Sequence, residues 1–321
     1  MGRAGCGSGM GGVVLVACLV SALAGSGRLV SAVGQPTFRG AVDLVPVAVT
    51  VTDRDGRPVA GLPPEAFEVL EDGRPQTIAF FARGDVSQDG TAPRPPLHLA
   101  VLLDSSESML EQAEFVRTAA IRFLNRLSEA VDITVVDFDT EVRATRFTQS
   151  DFPRLVERIR GQKIRGLTAL YDAIGTYLDG ASEQDGRKVM LLYTDAGDTR
   201  SSLSRRELMQ LLEASDVTVY AIGALGRQAS TTRLNAEQLL RRMAAITGGR
   251  AFFPSTVEEI DEIYARIVGE VRAQYTLGYT PTNGATDGTW RKVQVRLSNR
   301  APKGLRIRSR AGYFAPLRPA P

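Results

Sequence analysis

The chain has 321 residues, of which 43% are hydrophobic, so it is long enough to bury a large core and to form two domains. Its formal net charge is +3, from 39 basic and 36 acidic residues without a lysine-rich block, which gives no indication of nucleic-acid binding. With Cys6 and Cys18 as its only cysteines and His98 as its only histidine, the sequence disfavours thiolate–zinc sites, multi-histidine metal sites and a Ser-His-Asp triad.

The N-terminal residues have the pattern of a secretory signal peptide. Arg3 precedes an apolar run over residues 13–23, and Ala22 and Ala24 are small residues of the kind found at cleavage sites. We predict residues 1–24 to be this signal, so that the mature chain is exported, has no cysteine and contains no membrane span. The apolar run of residues 13–23 is short for a transmembrane helix. One alternative is an N-terminal anchor helix. Another is a lipoprotein, because the tetrapeptide ending at Cys18 loosely resembles a lipobox.

Residues 40–83 are predicted to form a β segment. Apolar and polar residues alternate along DLVPVAVTVTD, and Asp72-Gly73 lies between two further strand-like runs, a strong hairpin signal. Residues 84–96 are rich in Gly, Asp, Ser and Pro and therefore predict a linker. Arg83-Gly84-Asp85 matches an integrin-binding tripeptide, but three-residue matches are frequent by chance, and we interpret it as part of the polar linker.

Residues 97–274 alternate between apolar strands and amphipathic helices. Continuous apolar runs such as LHLAVLL and KVMLLYT are typical of strands buried on both faces. Between the strands, apolar residues recur at helical spacing, which predicts helices near residues 113–127, 152–159, 169–178, 205–214, 236–246 and 257–273. This alternation predicts an α/β domain with a doubly wound, mostly parallel sheet and helices on both faces.

Residues 275–316 return to short strand-like runs with turns at Asn283-Gly284 and Asp287-Gly288. Neither β flank has enough strands to be stable by itself. We therefore expect this C-terminal segment to pack with residues 40–83 as a small β-sandwich-like module, into which the α/β domain is inserted. Two separate β appendages are the alternative.

Three segments with oxygen-bearing side chains lie at predicted strand ends or helix starts. Asp104, Ser106 and Ser108 follow the strand that begins at residue 97, Asp195 follows another strand, and Thr168 precedes a helix. In open α/β sheets, ligands bind at the carboxyl ends of the strands, so these side chains are expected to lie near one another. Each segment alone is a weak signal, because Ser and Thr also cap helices. A metal site and a polar turn both remain open at this point.

Together, the three segments resemble the von Willebrand factor A family, also called the integrin inserted-domain fold. The resemblance covers about residues 97–274 and includes a site that binds a metal ion for adhesion. It implies that Ser106, Ser108 and Thr168 supply oxygens to the metal, and that Asp104 and Asp195 act directly or through water. The implied ion is Mg²⁺, with Mn²⁺ or Ca²⁺ as alternatives, since such hard cations favour oxygen ligands. The matching segments are Asp104-Ser105-Ser106-Glu107-Ser108, Gly166-Leu167-Thr168-Ala169-Leu170 and Thr194-Asp195-Ala196-Gly197-Asp198.

Two positions depart from the family's pattern: Glu107 and Ala196 stand where glycine is usual. Neither change removes a ligand, and we interpret Glu107 as an exposed loop side chain. Nearby in sequence, Asp137, Asp139 and Glu141 form another acidic group. These residues either extend the metal site or belong to a tight connection between two strands, which is the interpretation that we favour.

The resemblance implies a non-enzymatic, metal-dependent protein-binding module for adhesion or assembly, whose partner presents an acidic side chain to the metal. The β flanks look like those of a bacterial exported subfamily, which leaves the periplasm, the cell surface and the medium as locations. A metal-assisted hydrolase is an alternative function, although one histidine is a poor source of a general base and the chain has no phosphate-binding G-x-x-x-x-G-K-[ST] loop. A structural scaffold with a vestigial metal site is another.

Overall fold

The computed structural model describes residues 44–84, 95–226 and 228–317. The predicted signal peptide with both cysteines, most of the predicted linker and Asp85 of its tripeptide lie outside these ranges. Within the ranges, no helix has both the length and the apolar character that a membrane crossing requires.

The elements follow one another in three groups along the chain. Four strands come first: β1 (Val45–Thr52), β2 (Phe67–Glu71), β3 (Arg74–Gln76) and β4 (Ile78–Ala82). The middle group contains β5 (Leu97–Asp104), α1 (Ala113–Arg126), β6 (Asp132–Phe138), β7 (Val142–Thr148), α2 (Phe152–Arg160), α3 (Leu170–Ala181), β8 (Arg187–Thr194), α4 (Arg205–Ala214), β9 (Val217–Gly223), α5 (Ser230–Ile246), β10 (Arg250–Phe252) and α6 (Val257–Ala273). The last group contains β11 (Tyr275–Tyr279), β12 (Trp290–Leu297), β13 (Arg306–Ser309) and β14 (Gly312–Phe314).

The middle group forms a six-stranded sheet in the order β10-β9-β8-β5-β6-β7. All neighbouring strands are parallel except β6 and β7, which are antiparallel. Strands β5, β8 and β9 are buried along their whole lengths because helices cover both faces of the sheet. One face packs against α1, α2 and α6, and the other packs against α3, α4 and α5. The predicted doubly wound α/β fold is confirmed.

The two flanks form two antiparallel four-stranded sheets with the orders β13-β1-β11-β4 and β14-β12-β2-β3. Each sheet contains strands from both ends of the chain, since β1 pairs with β11 and β13, and β2 pairs with β12. The sheets share one apolar core, which includes Val47, Leu277 and Val295. The predicted β sandwich of both flanks is therefore confirmed, and the alternative of two separate appendages is wrong.

The sheet order places a crevice at the carboxyl ends of β5 and β8. From β5 the chain continues to β6 on one side, whereas β8 pairs with β5 on the other side and leads away to β9. Such a reversal of strand order is where open α/β sheets bind ligands. Asp104 ends β5 and Thr194 ends β8, so two of the oxygen-bearing segments meet at this point.

Candidate metal site

Asp104 is held at the end of β5 by neutral hydrogen-bond donors. The residue is only 4% exposed. One carboxylate oxygen accepts the Ser106 hydroxyl at 2.6 Å and the Ser106 amide at 3.0 Å, and the other accepts the Thr194 hydroxyl at 2.6 Å. The Ser106 and Ser108 hydroxyl oxygens lie 3.1 Å apart. The structure therefore gathers three of the five predicted ligands into one continuous row of oxygens.

The carboxyl group of Asp104 has an unusual electrostatic environment. Burial raises its pKa to about 6, although hydrogen bonds from Ser106 and Thr194 act in the opposite direction, and the charge of Asp195 raises the pKa further. Within the part of the chain that the structure describes, no Lys or Arg side chain forms an ion pair with Asp104. A buried carboxylate without a positive partner is costly, and a cation at this position would remove the cost.

Thr168 and Asp195 lie in the loops before α3 and after β8. The Thr168 amide donates to the Thr199 hydroxyl at 3.0 Å, and the Thr168 carbonyl accepts the amides of Thr199 and Arg200. Asp195 directly follows Thr194, and its carboxylate accepts the Gly197 amide at 2.9 Å. Helix α3 has Ala169 at its N-cap position and no side-chain cap, so the Thr168 hydroxyl is not a helix cap.

The loop that carries Thr168 is fixed on two sides. On one side, the Arg165 amide donates to the Ser105 carbonyl at 2.9 Å, and the Glu107 amide donates to the Gly166 carbonyl at 3.3 Å. On the other side, the Leu167 amide donates to the Thr140 hydroxyl at 3.0 Å. Gly166 has a φ of +71°, and a Cβ atom there would collide with the same hydroxyl. The turn therefore requires glycine at position 166.

The two departures from the family pattern differ in their structural consequences. Glu107 is exposed, as predicted, and contacts the neighbouring loop through its backbone. Ala196 has a φ of +64°, a left-handed conformation that costs a residue with a Cβ atom roughly 1 kcal/mol or more. Its amide donates to the Thr194 hydroxyl at 3.0 Å. The strained turn thus holds the same hydroxyl that donates to Asp104.

The acidic group after β6 is bound by arginines. Asp137 pairs with Arg143 at 2.7 Å and also with Arg158, and Asp139 pairs with Arg143 at 2.6 Å and with Arg165 at 3.1 Å. Burial alone would raise the pKa of Asp139, but hydrogen bonds from Arg143, the Glu141 amide and Arg165 hold it below its usual value. These carboxylates are already neutralised, which argues against their extending the metal site.

His98 lies at the opposite end of β5 from the crevice. Its Nδ1 is 3.0 Å from an Asp132 carboxylate oxygen, and its Nε2 is 2.9 Å from the Asp185 carbonyl oxygen. Both ring nitrogens are thus occupied by structural contacts. The histidine has no role in the chemistry of the crevice.

The donor set suits a hard divalent cation. The predicted set consists of two carboxylates and three hydroxyls, and the buried Asp104 lacks a positive partner among the described residues. No three His, Cys, Asp or Glu side chains gather as a metal site in those same ranges, so a cation in the crevice would depend on the hydroxyl oxygens. Oxygen ligands of this kind match Mg²⁺, Mn²⁺ or Ca²⁺ rather than softer metals.

Comparison with known proteins decides the family. The family model of the von Willebrand factor type A domain matches residues 98–266, which is more than half of the chain. The chain belongs to this family. In the three-dimensional structure, the match runs from β5 into α6 and includes the crevice. The von Willebrand factor type A domain of this chain is thus the α/β part, and the β sandwich lies outside the match.

Solved structures include proteins of similar fold but low sequence identity. The PilB minor pilin from Streptococcus sanguinis is 12% identical, with a TM-score of 0.48, and the match covers 58% of this chain and 63% of the pilin. A von Willebrand factor type A protein from Catenulispora acidiphila is 12% identical, with a TM-score of 0.48, and the match covers 86% of this chain and 75% of that protein. No curated protein matches significantly. The chain thus spans less than two thirds of the pilin's length.

Proposed function

We propose that the von Willebrand factor type A domain of this chain binds a divalent cation and, through it, a partner protein that presents an acidic side chain. The observation that carries the proposal is the buried Asp104 carboxylate, which is surrounded by hydroxyls and lacks a positive partner among the described residues. When bound, Mg²⁺, or Mn²⁺ or Ca²⁺ in its place, would offer a coordination position to a carboxylate oxygen. The ligands would be Asp104, Ser106, Ser108, Thr168 and Asp195.

The residues of the crevice have different roles in cation and partner binding. Ser106, Ser108 and Thr168 contribute uncharged oxygens, so the protein neutralises less positive charge than an all-carboxylate site would. Asp104 is fixed by three hydrogen bonds before any cation binds, which lowers the entropic cost of ordering the site. Ser108 is exposed and would lie on the side that a partner approaches.

The remainder of the chain supports this module. We infer that residues 97–274 form the binding domain, that residues 40–83 and 275–316 form its β-sandwich support, and that residues 84–96 link the two. The signal-peptide pattern of residues 1–24 supports export to the periplasm, the cell surface or the medium.

We also infer that the domain is not an enzyme. The contacts of His98 with Asp132 and Asp185 at the far end of β5 remove it as a general base for a metal-assisted hydrolase. The hydrolase alternative requires turnover of ester, phosphoester or peptide substrates that is lost when Asp104 is replaced. The scaffold alternative requires that the crevice bind no cation.

The test is calorimetric titration of Mg²⁺ and Mn²⁺ into the metal-stripped protein. Alanine variants of two neighbouring serines are compared with the wild type. Ser106→Ala removes a proposed ligand and is expected to weaken binding by about tenfold or more, the loss of roughly 1.4 kcal/mol. Ser105→Ala is the matched control, because its buried hydroxyl has no hydrogen-bond partner in the described structure and is not a proposed ligand. The proposal is overturned if the wild-type protein shows no saturable binding, and the scaffold function then replaces it.

A further inference from the structure

A second candidate site lies far from the crevice, where the α/β domain meets the β sandwich. Here a cleft of about 510 Å³ separates β10, an edge strand of the six-stranded sheet, from β12 and β13 of the sandwich. Four arginines line it: Arg241, Arg250, Arg308 and Arg310. Its volume is within the range of about 300–1,000 Å³ that is typical of small-molecule sites.

The arginines outnumber the carboxylates that pair with them. Glu270 is fully buried and binds Arg250 at 3.2 Å and Arg308 at 2.5 Å. Glu237 lies 3.6 Å from Arg241. Among the described residues, the guanidinium of Arg310 has neither an ion pair nor a hydrogen bond, and its Nε is buried without a partner. Four guanidinium groups against two carboxylates leave a net charge of +2, although only Arg310 has no ion pair among the described residues.

One further carboxylate acts on Arg310 without neutralising it. The charge of Asp216 raises the pKa of Arg310, but burial has the larger effect and lowers that pKa below its usual value. Asp216 is itself held by the buried Lys188, with both carboxylate oxygens 2.8 Å from the ammonium nitrogen. The excess of positive charge around the cleft therefore persists when this pair is counted.

Three of the arginines contact aromatic rings. The guanidinium of Arg241 lies 4.6 Å from the centre of the Phe253 ring, that of Arg250 lies 5.6 Å from the centre of the Phe252 ring, and that of Arg310 lies 5.6 Å from the centre of the Tyr313 ring. Stacking on a ring fixes a guanidinium while its in-plane N–H groups stay available for hydrogen bonds. Those groups match carboxylate and phosphate oxygens in geometry and charge.

We propose that this cleft binds a small organic anion with two or more carboxylate or phosphate groups. More than one anionic group is expected because the arginines come from three separate segments, namely α5, β10 and the β13 region. The ligand would contact the α/β domain and the β sandwich at once and so stabilise their junction. The proposal is independent of the cation in the crevice.

The proposal is tested by calorimetric titration of citrate and of inorganic pyrophosphate into the metal-stripped protein. Ionic strength is kept constant, and divalent cations are left out because both probes chelate them. Saturable one-to-one binding is expected. Arg241→Gln should weaken it at least fivefold without unfolding the protein, because the Arg241 side chain is 61% exposed. Arg242→Gln is the matched control, since Arg242 is an exposed arginine of the same helix that does not line the cleft.

The binding pattern of the two probes either identifies the class of ligand or overturns the proposal. Binding of citrate alone assigns a carboxylate ligand, and binding of pyrophosphate alone assigns a phosphate ligand. Equal weakening by the two arginine variants would show unspecific attraction to a basic surface and would overturn the proposal. Absence of saturable binding by both probes would overturn it as well.

Discussion

At the scale of single residues, Asp104 makes the metal-free protein less stable at neutral pH. Its pKa rises from 3.8 to about 6 on folding, with burial as the main cause. Between about pH 4 and pH 6 the folded state therefore binds more protons than the unfolded state, and stability falls as the pH rises. Well above pH 6 the carboxyl group is ionised in both states, and the full loss of folding stability is present. A cation that binds the carboxylate would offset it.

Asp104→Asn should therefore stabilise the metal-free protein at pH 7, by on the order of 1–2 kcal/mol. The gain is smaller than the pKa shift alone implies, because the Thr194 hydroxyl loses the oxygen to which it donates. Urea denaturation in the presence of a chelator measures the difference. The same comparison at pH 4 is the internal control, where the advantage should vanish. A variant that is less stable than the wild type at pH 7 would contradict the prediction.

Single residues also show what the sequence could and could not predict about the site. Asp104, Ser106 and Ser108 are close in sequence, and a strand end followed by a turn is enough to bring their oxygens together. The ion pairs of Asp137 with Arg158 and of Asp139 with Arg165 could not be predicted, because these arginines lie 21 and 26 residues further along the chain. Local patterns carry no information on such contacts. A signal was present only in the unusual density of arginines between residues 143 and 165.

At the scale of elements, the connection between β6 and β7 positions the loop that contains Thr168. The Thr140 hydroxyl accepts the Leu167 amide at 3.0 Å, and the Asp139 carbonyl accepts the Ala169 amide at 2.8 Å. The two bonds flank Thr168 on either side. The backbone position of Thr168 thus depends on a neighbouring connection that itself supplies no proposed ligand.

Thr140→Ala should consequently weaken cation binding by roughly two- to tenfold, the equivalent of one lost hydrogen bond of about 0.5–1.4 kcal/mol. Thr140→Ser keeps the hydroxyl and should bind the cation as the wild type does. Titration of Mn²⁺ into both variants makes the comparison. Equal affinities of the alanine and serine variants would show that the Leu167 contact does not position the loop.

Helix boundaries illustrate the limit of periodicity at this scale. Helix α4 begins and ends at the predicted residues, and a capping box of Ser204 and Glu207 defines its start. Helix α5 was predicted from residue 236 but begins at Ser230. Its first turns are exposed and contain few apolar residues, so the periodic signal starts only where the helix meets the core.

At the scale of the whole molecule, Glu270 ties the α/β domain to the β sandwich. Its carboxylate, fully buried on α6, pairs with Arg250 of β10 and with Arg308 of β13. The sequence predicted that the two β flanks pack together, because neither has enough strands alone. It could not predict this junction, since the three residues are as much as 58 positions apart and none belongs to a recognisable motif.

Glu270→Ala should destabilise the protein by about 3–5 kcal/mol, because it leaves two arginines without their shared carboxylate. The substitution should also uncouple the unfolding of the α/β domain from that of the β sandwich. Each of these parts has its own spectroscopic probe. Trp290, the single tryptophan, lies in β12 of the sandwich, whereas α1 to α6 lie in the α/β domain. Tryptophan fluorescence and far-ultraviolet circular dichroism should give coincident urea curves for the wild type, as a two-state transition requires, and separate curves for the variant.

Glu237→Ala is the control for this prediction, since Glu237 forms ion pairs with Arg233 and Arg241 along one helix and, among the described residues, pairs with no other element. Partly exposed pairs of this kind contribute at most about 1 kcal/mol, so the control should keep coincident curves with a small shift. If Glu270→Ala also keeps coincident curves, the buried carboxylate stabilises the protein without coupling its parts. The two parts would then be held together by other contacts, such as the backbone bridge between Thr247 and Arg310.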